Sequence, residues 1–117
     1  NNYLTLYMVT KKEIEEKRKM FRDIDVQMAS AFKVLSDINR YRIFLMLAEQ
    51  PKLTVSEISR ILDISLPLAS QHLKVLVQAN LLQKEKAGKK VFPKLDHENP
   101  FVHIIANIIQ KAPTRTN

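Results

Sequence analysis

Apolar residues recur at three- and four-residue steps along most of the chain, which is the spacing of one face of a helix. In the first such segment, 11–35, the apolar face carries Phe21, Ile24, Met28, either Ala31 or Phe32, and Leu35, with charged side chains between them. The pattern predicts one long helix in this segment and a mainly α protein overall.

The next helix is predicted to begin near Asp37 or Asn39, because either side chain can accept a hydrogen bond from the free amides of a first turn. The same apolar spacing continues to about Glu49, where we expect the helix to end. Its inward face is predicted to consist of Ile43, Phe44 and Leu47.

Segment 54–80 predicts two helices joined by a very short turn. Thr54 and Glu57 have the spacing of a capping box, in which each side chain accepts from the other residue's backbone amide. Asp63 is a residue type that tolerates the left-handed backbone of a tight turn. Pro67 falls in the first turn of the second helix, where a missing N–H costs little. The segment is therefore a predicted helix-turn-helix.

The helical spacing ends at residue 81. Residues 81–95 consist of two short segments around Gly88, the only glycine of the chain, and this pattern predicts a small β-hairpin. Pro93 cannot donate to a strand ladder, so we expect its strand to be an edge strand or to end there. An Asn-Pro pair then opens the last predicted helix, 99–111.

The 117 residues are predicted to form one domain, 1–117, and they carry a formal net charge of +7. Five lysines against Glu85 fall within 84–94, whereas the acidic and basic residues of 54–80 balance. A basic protein favours a polyanionic partner. A basic hairpin beside a helix that lies in the major groove can reach the flanking phosphates. The order of elements therefore predicts a winged helix-turn-helix, with 81–95 as the wing.

Three stretches carry a family resemblance: "AFKVLSDINRYRIFLML", "LTVSEISRILDISLPLASQHLKVLVQANLL" and "KAGKKVFPKL". They resemble the ArsR/SmtB-type winged-helix repressors over roughly positions 31–95. The family's first motif is matched at Asp37, Arg40 and Arg42. Its second motif is matched at Ile64, Ser65, Ser70, His72, Leu73, Lys74, Val75 and Leu76.

The resemblance implies a homodimeric bacterial transcriptional repressor that a signal releases from its operator. It also implies that the first and last helices, 11–35 and 99–111, pair the two copies. An apolar stripe on the last helix, in a domain this small, fits a two-fold interface. The residues expected at the dimer interface are Phe21, Ile24, Met28, Phe101, Ile104, Ile105, Ile108 and Ile109.

The resemblance places base contacts on the second helix of the pair. Ser70 can serve base edges or phosphate, and Gln71 can form the bidentate pair with adenine. The side chains of 66–68 cannot hydrogen bond, which leaves three interpretations: contact with thymine methyl groups, packing as a structural lid, or loss of base reading. The residues expected in the major groove are Leu66, Pro67, Leu68, Ser70, Gln71 and Lys74.

Contacts to the DNA backbone are expected from the wing and from residues that match the family motifs. Two alternatives are open: Arg40 and Arg42 can equally be solvated or pair with Asp37, and His72 can equally pack inside the protein. The residues expected to contact the backbone are Arg40, Arg42, Thr54, His72, Lys84, Lys86, Lys89 and Lys90.

The sequence indicates no metal site, no cofactor and no enzyme. It contains no cysteine, and Thr54-Val55-Ser56 stands where family members that sense soft metals have Cys-x-Cys. His97 and His103 could belong to an incomplete metal site, but two solvated histidines are the preferred interpretation. We find no glycine-rich phosphate loop, no nucleophile with its base and no paired carboxylates in a pocket-like context.

We expect double-stranded DNA and a second copy of the chain as partners, and the cytoplasm as the location. No membrane partner is expected, because the apolar "YLTLYMV" is too short to span a bilayer and no signal-peptide cleavage pattern follows it. The residues do not identify an inducer. The rival function is a protein-interaction module, such as an antagonist of another regulator; apolar residues 66–68 favour it and the lysine-rich wing disfavours it.

Overall fold

The computed structural model describes residues 8–49 and 52–113. Segments 1–7, 50–51 and 114–117, and with them most of the apolar opening segment, lie outside the described residues. The described elements are α1 Lys11–Lys19, α2 Asp23–Leu35, α3 Ile38–Glu49, α4 Val55–Leu62, α5 Leu66–Gln78, β1 Leu82–Ala87, β2 Lys90–Leu95 and α6 Pro100–Gln110. Among these helices, none is long and apolar enough to cross a bilayer.

The predicted single helix over 11–35 is wrong, because the chain breaks at 20–22 and forms α1 and α2 instead. Arg22 is extended, with φ −134° and ψ 160°. The Asp25 carboxylate accepts a hydrogen bond from the Arg22 amide at 2.9 Å and so caps a new helix start. No residue of α1 is buried, so packing does not hold the two helices in line. The apolar spacing continues across the break and therefore could not reveal it.

Helix α3 lies at the centre of the core. Its inward residues, Ile43, Phe44 and Leu47, are at most 3 % exposed, which confirms the predicted inner face. Fully burying an aliphatic or aromatic side chain of this size contributes about 2 kcal/mol. Helices α2, α5 and α6 and strand β2 pack around α3. Their buried side chains include Ala31, Leu35, Leu73, Leu76, Leu95, Phe101 and Val102.

Capping residues fix the start of α4 and both sides of the turn between α4 and α5. Thr54 accepts from the Glu57 amide at 3.1 Å, and Glu57 accepts from the Thr54 amide at 2.9 Å. Asp63 ends α4 in the left-handed region, with φ 54° and ψ 49°. Ser65 then caps α5 by accepting a first-turn amide at 3.2 Å, and Pro67 lies in that turn. The short break thus turns the chain directly from one helix into the next.

The predicted hairpin pairs β1 with β2 antiparallel, with Leu82 opposite Leu95. Both leucines are buried and anchor the base of the hairpin to the core. Gly88, the first residue of the two-residue loop, has φ 65°, as a type II′ turn requires. Pro93 pairs within β2, which it can do because the described sheet has two strands and each keeps an unpaired edge. The tip of the hairpin extends into solvent.

Helix α6 begins as predicted, with the Asn99 side chain accepting from the Phe101 amide at 3.1 Å. Asn99 also donates to the carbonyl oxygen of Asn80 at 2.9 Å and ties α6 to the end of α5. The predicted apolar face divides into two parts, because Ile104 and Ile108 are 50 % and 60 % exposed. The buried part consists of Phe101, Val102, Ile105 and Ile109.

Candidate nucleic-acid interface

Helix α5 buries one face and presents the other to solvent. Ala69, Leu73 and Leu76 are at most 8 % exposed and form the buried face. Because these three fill the core side of the helix, the polar and small side chains between them face outward. All of the residues predicted for the major groove are exposed: Leu66, Pro67, Leu68, Ser70, Gln71 and Lys74.

The first turn of α5 is apolar and accessible. Leu66 is 47 % exposed, Leu68 is 37 % exposed and Pro67 is exposed as well, whereas Ala69 is fully buried. A lid that packs on the preceding helix would bury the two leucines, so their exposure disfavours that interpretation. The nearest polar side chain, Ser65, uses its oxygen to cap the helix. The turn therefore offers an apolar surface next to the polar face of the helix.

The wing carries its charge at the outer end. Lys94 lies near the base, where its Nζ is 3.9 Å from a carboxylate oxygen of Glu85, so these charges offset each other. Two other lysines alternate along β1 and share one face of the strand, and two more belong to the tip. These four exposed side chains, the wing lysines, are Lys84, Lys86, Lys89 and Lys90.

A groove of about 500 Å³ lies between α5 and the wing. Its lining includes Ser70 and Lys74 from α5 and Lys84 from β1. Residues that we predicted for base contact and for backbone contact therefore border the same groove. Of the wing lysines, Lys84 thus lies beside the outward face of α5.

Thr54, which we predicted to contact the DNA backbone, caps a helix instead. Its amide and hydroxyl both donate to the Glu57 carboxylate, at 2.9 Å each, and lower the pKa of that group. The positive charges of Arg60 and Lys90 lower the pKa of Glu57 further. Because a hydroxyl has one proton, Thr54 keeps no side-chain donor for a phosphate.

Arg40 and His72 contact each other inside the chain. Arg40 Nε donates to the carbonyl oxygen of Val34 at 2.7 Å, and its Nη1 lies 3.4 Å from His72 Nδ1. His72 is only 8 % exposed, and its Nε2 is 4.0 Å from Asp37 Oδ1. The buried ring favours packing over the predicted phosphate contact. Arg42, by contrast, is exposed on α3, and its backbone contact stays a prediction.

Asp37 is the acceptor of this polar cluster. Its Oδ1 accepts from the amides of Asn39 and Arg40 at 2.9 and 3.1 Å, which confirms the predicted start of α3. The Arg40 amide is the main cause that lowers the pKa of Asp37; burial opposes the shift, and the charges of His72 and Arg40 add to it.

Sequence reasoning missed this cluster as a unit. Asp37 and Arg40 were predicted as a possible pair, but His72 lies 32 positions after Arg40 and no local spacing connects them. The available signal was that all three belong to the matched family motifs. The cluster joins α2, α3 and α5, and it connects α5, the helix with the exposed polar face, to the core helices.

His97 and His103 are exposed neighbours at the start of α6. Their ring centroids are 4.9 Å apart and the ring planes are inclined by 32°. Across residues 8–49 and 52–113, no group of three or more His, Cys, Asp or Glu side chains is arranged to hold a metal ion. In the described part of the chain, the two rings contact each other, and no third side chain of these types joins them in a metal-binding arrangement.

The residues predicted for the dimer interface lie in different environments. The α6 residues Phe101, Ile105 and Ile109 are buried in the chain's own core, and Met28 is half-buried. Two others on α6 and two near the start of α2 are exposed, at 50–66 %: Phe21, Ile24, Ile104 and Ile108.

Phe32 of α2 was not among the residues predicted for the interface. Phe32 is 55 % exposed, and its position four residues after Met28 was the signal that could have indicated it. Phe32 of α2 and Ile108 of α6 line one groove of about 240 Å³. The two helices therefore present a joint apolar surface to solvent, which we call the α2–α6 surface.

Comparison with known proteins agrees with this architecture. Residues 37–84 match the family model described as "Bacterial regulatory protein, arsR family". The cadmium resistance transcriptional regulatory protein CadC homolog of Staphylococcus aureus is 28 % identical over 106 residues, which are 91 % of this chain and 84 % of that protein. The arsenical resistance operon repressor of Escherichia coli (strain K12) is 39 % identical over 69 residues, 59 % of each protein.

A solved structure shares the fold. It is the homodimeric winged helix-turn-helix DNA-binding domain of Mb0332 from Mycobacterium bovis, described as a possible ArsR-family transcriptional regulator. The TM-score is 0.61 at 22 % identity, covering 74 % of this chain and 78 % of that one. The matched range begins at Asp37, spans α3, α4 and α5, and ends in β1. Residues 37–84 are therefore similar to the helix-turn-helix region of ArsR-family regulators.

Proposed function

We propose that this protein is a sequence-specific DNA-binding transcriptional repressor that acts as a homodimer on an inverted-repeat operator in the bacterial cytoplasm. The observation that carries the proposal is the exposed face of α5 beside the four wing lysines, in a domain similar to that of ArsR-family regulators. One relative is named a repressor and another a transcriptional regulatory protein, which supports the same function.

In this function, α5 lies in the major groove and the wing lies on the adjacent backbone. Gln71 can donate to and accept from one adenine, Lys74 can donate to guanine, and Ser70 can serve a base edge or a phosphate. The wing lysines neutralise phosphates, release counterions and supply affinity that does not depend on sequence. Phosphate contacts thus position the protein, and α5 selects the sequence.

The homodimer is supported by the apolar α2–α6 surface and by a fold neighbour that is described as homodimeric. A two-fold axis through this surface would bury exposed side chains such as Phe32 and Ile108. The two α5 helices of such a dimer would enter successive major grooves about 34 Å apart. An inverted repeat is the DNA sequence that matches this symmetry.

The signal that releases the operator is not sensed by a cysteine of these 117 residues, because they contain none. This separates the protein from sensors that bind metals or react with oxidants through thiolates. Thr54-Val55-Ser56 begins the helix where such a site would lie, and its threonine is engaged in helix capping.

The second candidate function is a protein-interaction module on the same scaffold. The exposure of Leu66 and Leu68 favours it, since exposed apolar side chains also suit a protein partner. The wing lysines favour DNA. Capture of a specific protein by the purified chain, together with failure to retain any DNA fragment, would support this alternative.

The proposed function is tested by selecting genomic DNA fragments with the purified protein. We expect enrichment of a small set of fragments that share an inverted repeat, at half-site spacing of about one helical turn. A matched selection with Gln71→Ala/Lys74→Ala protein should lose the enriched motif. Recovery of unrelated fragments in proportion to their abundance would contradict sequence-specific recognition.

A further inference from the structure

We propose that Leu66, Pro67 and Leu68 form a methyl-reading surface that selects thymine at the operator positions facing the first turn of α5. This inference rests on the proposed function, since it concerns how the same helix recognises its operator. It assigns a role to the segment where the helix has no side-chain hydrogen-bonding group.

The position of these residues places them against the bases. In a helix-turn-helix, the N-terminal residues of the second helix contact base edges in the major groove. Here those residues are two leucines and a proline, and Pro67 lacks even a backbone N–H. The Leu68 amide is already bonded to the Ser65 oxygen at 3.2 Å. The first turn therefore has almost nothing with which to hydrogen bond to a base.

The major groove contains one apolar group that such a surface can contact. Thymine presents its C5-methyl there, whereas the other base edges present donors and acceptors. A leucine placed over a donor or acceptor would remove its water without replacing the hydrogen bond, which is unfavourable. Apolar side chains at this point therefore favour thymine and disfavour cytosine at the same position.

The exposure of the leucines agrees with this role. Leu66 is 47 % exposed and Leu68 is 37 % exposed, while Ala69 and Leu73 fill the core side of the same helix. Leu66 precedes Ser70 by four residues, so the apolar surface continues directly into the face predicted to bind bases. Leu68 precedes Gln71 by three residues, so each leucine lies next to a residue that is predicted to bind bases.

The test replaces each thymine of the selected operator duplex by deoxyuridine, one at a time. This change removes the methyl group and leaves every hydrogen bond of the base pair intact. With the unmodified protein, we expect affinity to fall about fourfold for each methyl that a leucine covers, at one or two positions in each half-site. With Leu66→Ala/Leu68→Ala protein, the same duplexes should bind as tightly as those with thymine.

A control is Ile61→Ala, which truncates an exposed apolar side chain on α4. This variant should keep the full sensitivity to deoxyuridine. Because Leu66 and Leu68 are partly exposed, their replacement should leave the far-ultraviolet circular dichroism spectrum and the melting temperature nearly unchanged. These two measurements distinguish a protein that no longer reads methyl groups from one that is misfolded.

Two results would overturn methyl reading while leaving the proposed function intact. One is equal affinity of the unmodified protein for every deoxyuridine duplex and for the thymine duplex. The other is a deoxyuridine effect of the same size in the Leu66→Ala/Leu68→Ala protein. A protein that retains no DNA fragment at all would overturn both the inference and the proposed function.

Discussion

Gln71 is an exposed residue of α5, in the part predicted to contact bases, and its side chain can donate to and accept from one base at the same time. We expect Gln71→Ala to reduce the preference for its contacted adenine about tenfold, because a bidentate pair contributes about 1–3 kcal/mol of discrimination. The measurement compares binding to the operator and to duplexes with single base-pair changes. Gln78→Ala, an exposed glutamine at the other end of α5, is the matched control. Equal weakening on every duplex would contradict base reading by Gln71.

Asp37 should make stability depend on pH. Its pKa is lower in the folded protein, so its contribution is fully present above the unfolded-state pKa of about 4 and is lost as pH falls through the folded-state pKa. Asp37→Ala should lower the free energy of unfolding by about 1 kcal/mol at pH 7, because the helix cap is lost. Asp37→Asn can still cap α3 but should show a shallower loss of stability on acidification.

Urea unfolding at pH 7 and pH 3 measures this effect. The control is Glu16→Gln, which removes one negative charge from exposed α1 and should leave the acid dependence unchanged. The role assigned to Asp37 would be wrong if Asp37→Asn lost stability between these pH values as steeply as the unmodified protein.

At the scale of elements, local chemistry made most of the fold predictable. The capping box at Thr54, the left-handed Asp63 and the glycine turn at Gly88 depend on residues a few positions apart, and the structure confirms all three. The break at 20–22 was missed because the apolar spacing runs through it. The site at His72 was missed because its partners come from distant helices, which no local pattern encodes.

The wing should supply affinity without specificity. Lys89→Ala/Lys90→Ala should weaken binding to the operator and to a scrambled duplex by the same factor. The slope of log affinity against log salt concentration should become shallower by about 0.9 for each phosphate that the variant no longer neutralises. Lys12→Ala/Lys17→Ala removes the same charge from α1 and should leave both affinity and slope nearly unchanged. An unaltered salt slope in the wing variant would contradict phosphate binding by the wing tip.

At the scale of the whole molecule, the α2–α6 surface should hold the dimer. Ile108→Asp should give a folded monomer, because this side chain is 60 % exposed and its replacement leaves the core intact. Sedimentation equilibrium measures the mass in solution. Ile61→Asp, at a position that is 59 % exposed on α4, is the matched control and should stay dimeric. If the Ile108→Asp protein remained dimeric, the dimer interface would not lie on this face of α6.

The sequence could predict only part of the dimer interface, because packing between helices decides which apolar residues stay exposed. Apolar spacing marked the face of α6 but could not divide it between the core and the surface. Ile105 is buried inside the chain whereas Ile104 beside it is half-exposed, and only the packing of α3 against α6 distinguishes them. Apolar spacing likewise left open whether Ala31 or Phe32 belongs to the apolar face of 11–35; the structure buries Ala31 and exposes Phe32.

The central claim is that this protein binds one DNA sequence in preference to others. Its most direct test is the ratio of affinities for the selected operator and for a scrambled duplex of equal length, measured by fluorescence anisotropy at about 0.15 M salt. We predict a ratio of at least about 10³, as specific regulators show. A ratio near one would contradict the claim, even if the protein bound both duplexes tightly.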